Sequence, residues 1–220
     1  YNTIEITKID KEGPEIGIQT TETTTNQSTV TVEKAEDTKS GMPEEKIYSH
    51  YIKEGTSTSG EQTTSGDQTT EIQVGEKDAQ GFTKMEETKE TTYTYKNLKS
   101  NTEYTIKVET KDNLGNIGEK TEEITTRNLL YAQGDIIPKE TIWINGKATV
   151  SLENTVEEYN MQYQIGKNGA GINVNGKWTT VEEKTEEIEG LENKDIIYAR
   201  LTDNVNVTEG YATVNVNNPA

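Results

Sequence analysis

The chain has 220 residues, which fits one or two domains, and a formal net charge of −17. An acidic surface repels nucleic acid and anionic lipid, so neither is expected as a partner. Cysteine is absent, which excludes disulfides, thiolate chemistry and cysteine zinc sites. No apolar run approaches the roughly 20 residues that a membrane helix needs, so membrane insertion is not expected.

The two ends of the chain resemble each other. Residues 1–6, YNTIEI, match residues 211–216, YATVNV, in both composition and alternation. The later copy would be the last strand of a domain, so segment 1–11 is predicted to be the trailing strand of a preceding module, or a linker. The alternative, that it is the first strand of domain 1, stays open. Matching ends indicate a tandem array.

Domain 1 is predicted to span residues 12–127. Its strands are expected at 15–19, 28–33, 47–52, 70–74, 91–95 and 104–109, and 118–126 closes the domain. A loop at 54–70 is rich in glycine, serine and threonine and is unusually long for a β-sandwich.

Segment 128–139, which contains Gly134 and Pro138, is predicted to be a linker. Domain 2 is predicted over 140–220. Its strands are expected at 147–152, 159–165, 188–191, 196–201 and 211–216. Hydrophobic residues make up only 29% of the chain, which is compatible with folding because a thin sandwich needs one buried face per strand.

The stretch 98–116 is the clearest strand between two turns. Its alternation predicts one buried face, with Tyr104, Ile106 and Val108, and one outward face, with Thr105, Lys107 and Glu109. A shorter counterpart at 191–204 repeats the leucine as Leu191 and the following turn as Asp203-Asn204. Two domains of one general plan are the simplest explanation.

The pattern of Leu98, Thr102, Tyr104, Ile106 and Val108 resembles the segment of fibronectin type III domains that holds the tyrosine corner. In that family a tyrosine hydroxyl bonds to the turn before its strand. The resemblance therefore implies that Tyr104 bonds to backbone near Leu98. Domain 1 departs from the family because its second strand has no tryptophan.

The turn 112–116 resembles a turn of bacterial fibronectin type III and immunoglobulin-like repeats. Domain 2, with Trp178 and residues 198–203, resembles immunoglobulin-like repeats of Gram-positive surface proteins. It departs at Tyr198, which lies closer to its Asp-Asn turn than Tyr104 does. These resemblances imply an all-β fold of two tandem antiparallel β-sandwich domains, fibronectin type III-like then immunoglobulin-like. They also imply an extracellular, modular protein of the cell surface that is not an enzyme.

No catalytic residue and no cofactor is predicted. His50 is the only histidine, and a general base would need a nucleophile and an orienting acid from elsewhere. It is expected to be a surface or half-buried strand histidine. Neighbouring glutamates are abundant and are expected on solvated faces rather than as a glycosidase pair.

No metal site is predicted either. Asp112 or Asp203, with neighbouring asparagines, offers oxygen ligands for calcium, but turn chemistry is the preferred interpretation of both. In the absence of cysteine, a covalent cross-link would need a buried lysine, an aspartate or asparagine, and a further carboxylate. The sequence does not locate such a group.

A sugar site would need exposed aromatic rings with polar neighbours. Trp143 and Trp178 are the candidates. Tyr159 and Tyr163 alternate with apolar residues on one face and are expected in a core.

The preferred function is a non-enzymatic structural or adhesive spacer in a bacterial cell-surface or secreted multidomain protein. The alternative is an accessory carbohydrate-binding module of a secreted glycosidase. The expected partners are neighbouring repeat domains of the same chain, with a glycan or a host or cell-surface protein as the candidate ligand. Tyr104, Leu98, Asp112 and Asp203 are predicted to be structural residues.

Overall fold

A computed structural model describes residues 10–55, 64–65 and 73–219. Most of segment 1–11 and of the polar loop 54–70 lies outside these ranges, as do the first residues of the strand predicted at 70–74. The chain divides into two compact units, Tyr1–Arg127 and Asn128–Ala220, here called unit 1 and unit 2. Within the described ranges, no helix has the length and apolar character to cross a membrane.

Unit 1 is built from antiparallel strands in two sheets. The strands are β1 (Glu15–Thr23), β2 (Ser28–Glu36), β3 (Tyr48–Glu54), β4 (Thr64–Ser65), β5 (Thr83–Thr88), β6 (Thr92–Tyr95), β7 (Glu103–Lys111) and β8 (Ile117–Thr125). One sheet has the order β1-β2-β6 and the other β4-β8-β7-β3-β5.

Unit 2 is built in the same way. Its strands are β9 (Ile136–Ile144), β10 (Lys147–Asn154), β11 (Asn160–Gly166), β12 (Thr179–Val181), β13 (Thr185–Leu191), β14 (Ile196–Thr202) and β15 (Ala212–Asn215). The sheets have the orders β13-β10-β9 and β12-β11-β14-β15. Apart from β4, strands at the same position along each unit occupy the same place in its sheets: β1-β2-β6 corresponds to β9-β10-β13, and β8-β7-β3-β5 to β15-β14-β11-β12.

Each unit encloses its own core between its two sheets. In unit 1, Val30 on β2 packs in one cluster with Ile52 on β3 and Ile106 on β7. In unit 2, Val150 on β10 packs in one cluster with Met161 on β11. Because each cluster joins strands of opposite sheets, both units are sandwiches, and the predicted all-β fold of two antiparallel β-sandwiches is confirmed.

Edge strands account for most differences from the predicted elements. Strand β9 begins at Ile136, inside the segment 128–139 predicted as a linker, and tolerates Pro138 because it lies at a sheet edge. Strand β5 was not predicted, since its sequence TKMEET is mostly polar. Residues 73–74 are not a strand. They open a turn in which the Glu76 N–H donates to the Gln73 carbonyl at 3.0 Å.

The first and last described residues of unit 1, Asp10 and Arg127, lie at opposite ends of β8. Just before β8, the Asn116 side-chain amide donates to the Asp10 carbonyl at 3.3 Å. Just after β8, the Arg127 N–H donates to the Thr24 carbonyl at 2.9 Å. The nine residues of β8 separate these points, which corresponds to about 30 Å of strand.

Unit 2 has the same arrangement. Just before β9, the Thr155 N–H donates to the Asp135 carbonyl at 2.8 Å. Just after β15, the Lys194 N–H donates to the Val216 carbonyl at 2.8 Å. Lys194 lies in the turn after β13. The last residue of β13, Leu191, pairs with Ala148 near the start of β10. The two points are therefore at opposite ends of β10.

Candidate functional site

Tyr104 and Leu98 lie together at one end of the core of unit 1. The Lys99 N–H donates to the Tyr104 hydroxyl at 2.9 Å, directly after Leu98. Both Leu98 and Tyr104 belong to the cluster that contains Ile106. The Tyr104 hydroxyl thus connects the start of β7 to the turn after Leu98. This is the contact that the resemblance to fibronectin type III domains implies.

Asp112 organises the turn between β7 and β8. Its Oδ1 accepts the N–H groups of Leu114 and Asn116, both at 2.8 Å, and its Oδ2 accepts the Ser40 hydroxyl at 2.5 Å. Burial alone would raise the pKa of Asp112, but the hydrogen bonds from Ser40, Asn116 and Leu114 outweigh it and lower the pKa. The ionised carboxylate is thus the form that this turn stabilises.

Asp203 makes the corresponding turn in unit 2. Its Oδ1 accepts the N–H groups of Val205 and Asn206 at 2.9 and 2.6 Å, and its Oδ2 accepts the Asn206 amide at 3.0 Å. This is the side chain-to-backbone bonding for which aspartate is common in turns.

Asp112 has two acidic neighbours that the sequence does not place beside it. Oxygens of Asp10, Asp37 and Asp112 all lie within 4.8 Å of one another. One oxygen of the Asp37 carboxylate, Oδ1, already accepts the N–H groups of Lys39, Ser40 and Gly41. Among the described residues, this is the group of three carboxylates whose oxygens lie close enough together to share a divalent cation.

His50 is not a surface or half-buried histidine, and that expectation is wrong. Its side chain is fully buried, its ring stacks on Tyr93 with centroids 4.4 Å apart, and its Nδ1 lies 3.4 Å from the Tyr95 hydroxyl. Burial lowers the pKa of His50 to about 4. The imidazole is therefore a neutral core group at neutral pH.

Neither tryptophan forms an open platform. Trp143 is half-buried and packs against the core of unit 2. Trp178 is also half-buried, and the Arg200 guanidinium lies over its ring, 3.9 Å from the centroid. Tyr159 and Tyr163 pack against the same core as Trp143.

An acidic group surrounds a buried lysine on the outer face of the larger sheet of unit 1. Lys107 Nζ lies 2.6 Å from Asp78 Oδ2, 2.6 Å from Glu109 Oε1 and 3.7 Å from Glu119 Oε2. We call these four residues the lysine–carboxylate cluster. The Lys107 side chain is only 3% exposed, so the expectation of a solvent-facing outward face on β7 is wrong.

Aromatic rings close this cluster from solvent. Lys107 Nζ lies 4.5 Å from the ring centroid of Tyr51, which is its neighbour on β3, and 5.1 Å from that of Phe82. Phe82 belongs to the turn that Asp78 begins, in which the Asp78 N–H donates to the Phe82 carbonyl at 2.9 Å. The turn thus folds over the sheet and buries the lysine.

The sequence contains part of the signal for this cluster. Lys107 and Glu109 are two positions apart and so share a face of β7. Asp78 and Gly81 have the spacing of a turn. Nothing in the sequence shows that this turn lies over β7, because that contact joins residues 29 positions apart.

Comparisons with known proteins add little to these contacts. No family model matches the chain, and no curated protein matches it. Solved structures similar to it include the FN1–FN3 domains of chicken CNTN1, with 13% identity over 94% of this chain and 67% of that one and a TM-score of 0.32. Another is a two-domain fibronectin type III segment of chicken tenascin, with 12% identity over 93% of this chain and 100% of that one and a TM-score of 0.34. These TM-scores are too low to support a conclusion about function.

Proposed function

We propose that the chain is a non-enzymatic structural or adhesive spacer of a bacterial cell-surface or secreted multidomain protein. The observation that supports this proposal is the path of the chain through each unit. In unit 1, Asp10 lies beside Asn116 and Arg127 lies beside Thr24, at opposite ends of β8. Modules traversed from end to end add length when they are joined in series, which is what a spacer needs.

Two further features favour this role. Each unit has its own core, so each can act as an independent module. The net charge of −17 keeps a crowded array of such modules apart and in solution. The proposed location is outside the cell, and the proposed partners are neighbouring repeat modules, with a glycan or a surface protein as the ligand for an adhesive role.

The alternative, a carbohydrate-binding module, has less support among the described residues. Such a module needs aromatic faces that are open to a sugar ring. Trp143 packs against the core of unit 2, and Arg200 covers Trp178. Both rings therefore have structural partners of their own.

Stretching the whole chain between its ends in a single-molecule force experiment tests the spacer role. We expect two separate unfolding events, one for each unit, because each unit has its own core. A chain that extends smoothly, without resistance, would contradict the proposal.

A glycan array tests the alternative on the same protein. We expect no sugar to bind through the tryptophans. Binding that disappears in Trp143→Ala, while that variant keeps its melting temperature, would overturn the spacer-only function. Phe in place of Trp143 is the matched control, since it retains an aromatic face.

A further inference from the structure

The lysine–carboxylate cluster of unit 1 holds an amine against a carboxyl group with little water around them. The side chains of Lys107 and Asp78 are 3% and 9% exposed. We propose that Lys107 and Asp78 form an intramolecular amide bond, an isopeptide cross-link, with Glu109 as the proton carrier. This inference depends on unit 1 alone and is independent of the proposed spacer role.

The two reacting groups are held close by ordered backbone on both sides. Lys107 Nζ lies 2.6 Å from Asp78 Oδ2, so the carboxyl carbon of Asp78 is one bond beyond that contact. Lys107 lies in the middle of β7, which pairs with β3 and β8. Asp78 is fixed by its turn, where the Gly81 N–H donates to its carbonyl at 3.0 Å. Holding two reactants in contact in this way replaces a bimolecular encounter and lowers the barrier.

Two backbone donors are aimed at the other oxygen of Asp78. Its Oδ1 accepts the N–H groups of Gln80 and Phe82, both at 2.9 Å. When an amine adds to the carboxyl carbon, negative charge develops on this oxygen. The two N–H groups are already placed to stabilise that charge, as in the oxyanion hole of an acyl-transfer enzyme.

Glu109 is placed to move the protons. Its Oε1 lies 2.6 Å from Lys107 Nζ. Burial alone would lower the pKa of Lys107, but Glu109 and Asp78 outweigh it and raise the pKa. The ammonium form is thus the resting state, and a proton must pass to a carboxylate before the nitrogen can attack.

The reaction needs no other reagent. Glu109 takes one proton from the Lys107 ammonium and passes it to Asp78 Oδ2, so that a neutral amine faces a neutral carboxyl group. The nitrogen then forms a bond to the carboxyl carbon while Oδ1 takes the negative charge, and Glu109 moves a second proton from the nitrogen to Oδ2. The bond from carbon to Oδ2 then breaks and one water leaves. Glu109 ends as the carboxylate that it was at the start.

The intact mass of the purified chain, measured after denaturation, tests the proposal directly. We expect a mass lower by one water than the sequence mass. Trypsin does not cleave at an acylated lysine, so we also expect peptide 100–111 joined to peptide 78–84. A chain of full sequence mass, or a cross-link between any other two residues, would overturn the proposal.

Variants separate the roles of the three residues. We expect Lys107→Ala and Asp78→Ala to have their full mass. Glu109→Gln retains both reacting groups and should lose at least nine-tenths of the cross-linked fraction; an undiminished fraction would exclude Glu109 as the proton carrier. Lys84→Met is the matched control, because Lys84 is also buried and ion-paired, at 2.6 Å, but its partner Glu87 is 44% exposed. We expect it to keep the mass deficit.

Discussion

The two units place a basic residue at the same position of their larger sheets but surround it differently. Lys107 lies on β7 opposite Tyr51, and Arg200 lies on β14 opposite Gln162. Lys107 is enclosed by three carboxylates and a turn, whereas Arg200 lies over the Trp178 ring and donates to the Gln162 side chain at 3.0 Å. The same strand order thus supports two different outer faces. In unit 1 the basic residue is buried among carboxylates, and in unit 2 it is half-buried against an aromatic ring.

The difference in burial predicts that the stability of unit 1 depends more strongly on paired polar groups than that of unit 2 does. A buried charge is costly unless partners satisfy it, so removal of one member of the cluster in unit 1 leaves the others uncompensated. Arg200 is partly exposed, so water can replace the contacts that its partners lose when it is removed. We therefore expect equivalent substitutions to have unequal effects.

Truncation of the two cations gives the largest expected contrast. We expect Lys107→Ala to destabilise unit 1 by at least about 3–5 kcal/mol, because three carboxylates remain together in a site that excludes water. Arg200→Ala should cost unit 2 about 1 kcal/mol, the usual value of a cation–π contact. Calorimetry of the whole chain measures both, and fluorescence assigns unit 2, which contains both tryptophans. Equal losses would contradict the comparison.

Acid should separate the units through His50, which only unit 1 contains. The pKa of His50 is lowered to about 4 when folded, so below its unfolded value of about 6.5 the unfolded chain binds the proton first. The contribution of the neutral histidine is therefore complete above about pH 6.5 and is lost as the pH falls toward about 4, by about 3 kcal/mol in total.

The check on this acid effect is a variant that does not titrate. We expect His50→Phe to reduce the difference between the melting temperatures of unit 1 at about pH 7 and about pH 4.5. The same difference for unit 2 should not change. An unchanged acid sensitivity of unit 1 would show that carboxylates elsewhere cause it.

Close backbone contact gives an intermediate effect. A Cβ on Gly118 would lie 1.9 Å from the Pro14 carbonyl oxygen, so Gly118→Ala must push apart the backbone of β8 and the segment just before β1. We expect a cost of about 2 kcal/mol. Gly171→Ala in unit 2 is the matched control, because no atom lies within 4 Å of its Cβ. Urea unfolding of both variants measures the difference.

The tyrosine hydroxyls give the smallest contrast. Tyr104→Phe removes the 2.9 Å bond from the Lys99 N–H and should destabilise unit 1 by about 1 kcal/mol. The Tyr198 hydroxyl instead donates to the Ala170 carbonyl at 3.3 Å, in a different loop. We expect Tyr198→Phe to cost less than half as much. An unchanged melting temperature in Tyr104→Phe would contradict a stabilising tyrosine corner.

The alternation of apolar and polar residues made the central strands predictable. The edge strands lack this pattern, and the polar clusters depend on contacts between distant parts of the chain. Strands β2, β7, β11 and β14 each contain a run in which every second residue is apolar, and the predicted strands lie within a few residues of their ends. The edge strands β5 and β9 have no such pattern. The lysine–carboxylate cluster and the group of Asp10, Asp37 and Asp112 join segments far apart in the chain, and one-dimensional patterns do not contain that information.

The burial of β7 on both faces also explains how so polar a chain can fold. Thr105, Lys107 and Thr110 are each at most 3% exposed, although all three are polar. Hydrogen bonds satisfy the threonines, with Thr105 donating to the Gly55 carbonyl at 2.9 Å and Thr110 to the Ile47 carbonyl at 2.8 Å. A count of apolar residues therefore underestimates how much of unit 1 is core.

The path of the chain through unit 1 determines how a pulling force acts on it. Strands β1 and β8 belong to different sheets, and both run from the end beside Asn116 to the end beside Arg127. Tension between these two ends therefore pulls β1 and β8 in opposite directions along their own axes. The ladder between β7 and β8, from Glu103 with Thr125 to Lys111 with Ile117, lies across that direction. Its bonds share the load and must break together in shear, rather than open one at a time like a zipper. Resistance to stretching then comes from the direction of the strands and can exceed what the thermal stability of the unit suggests.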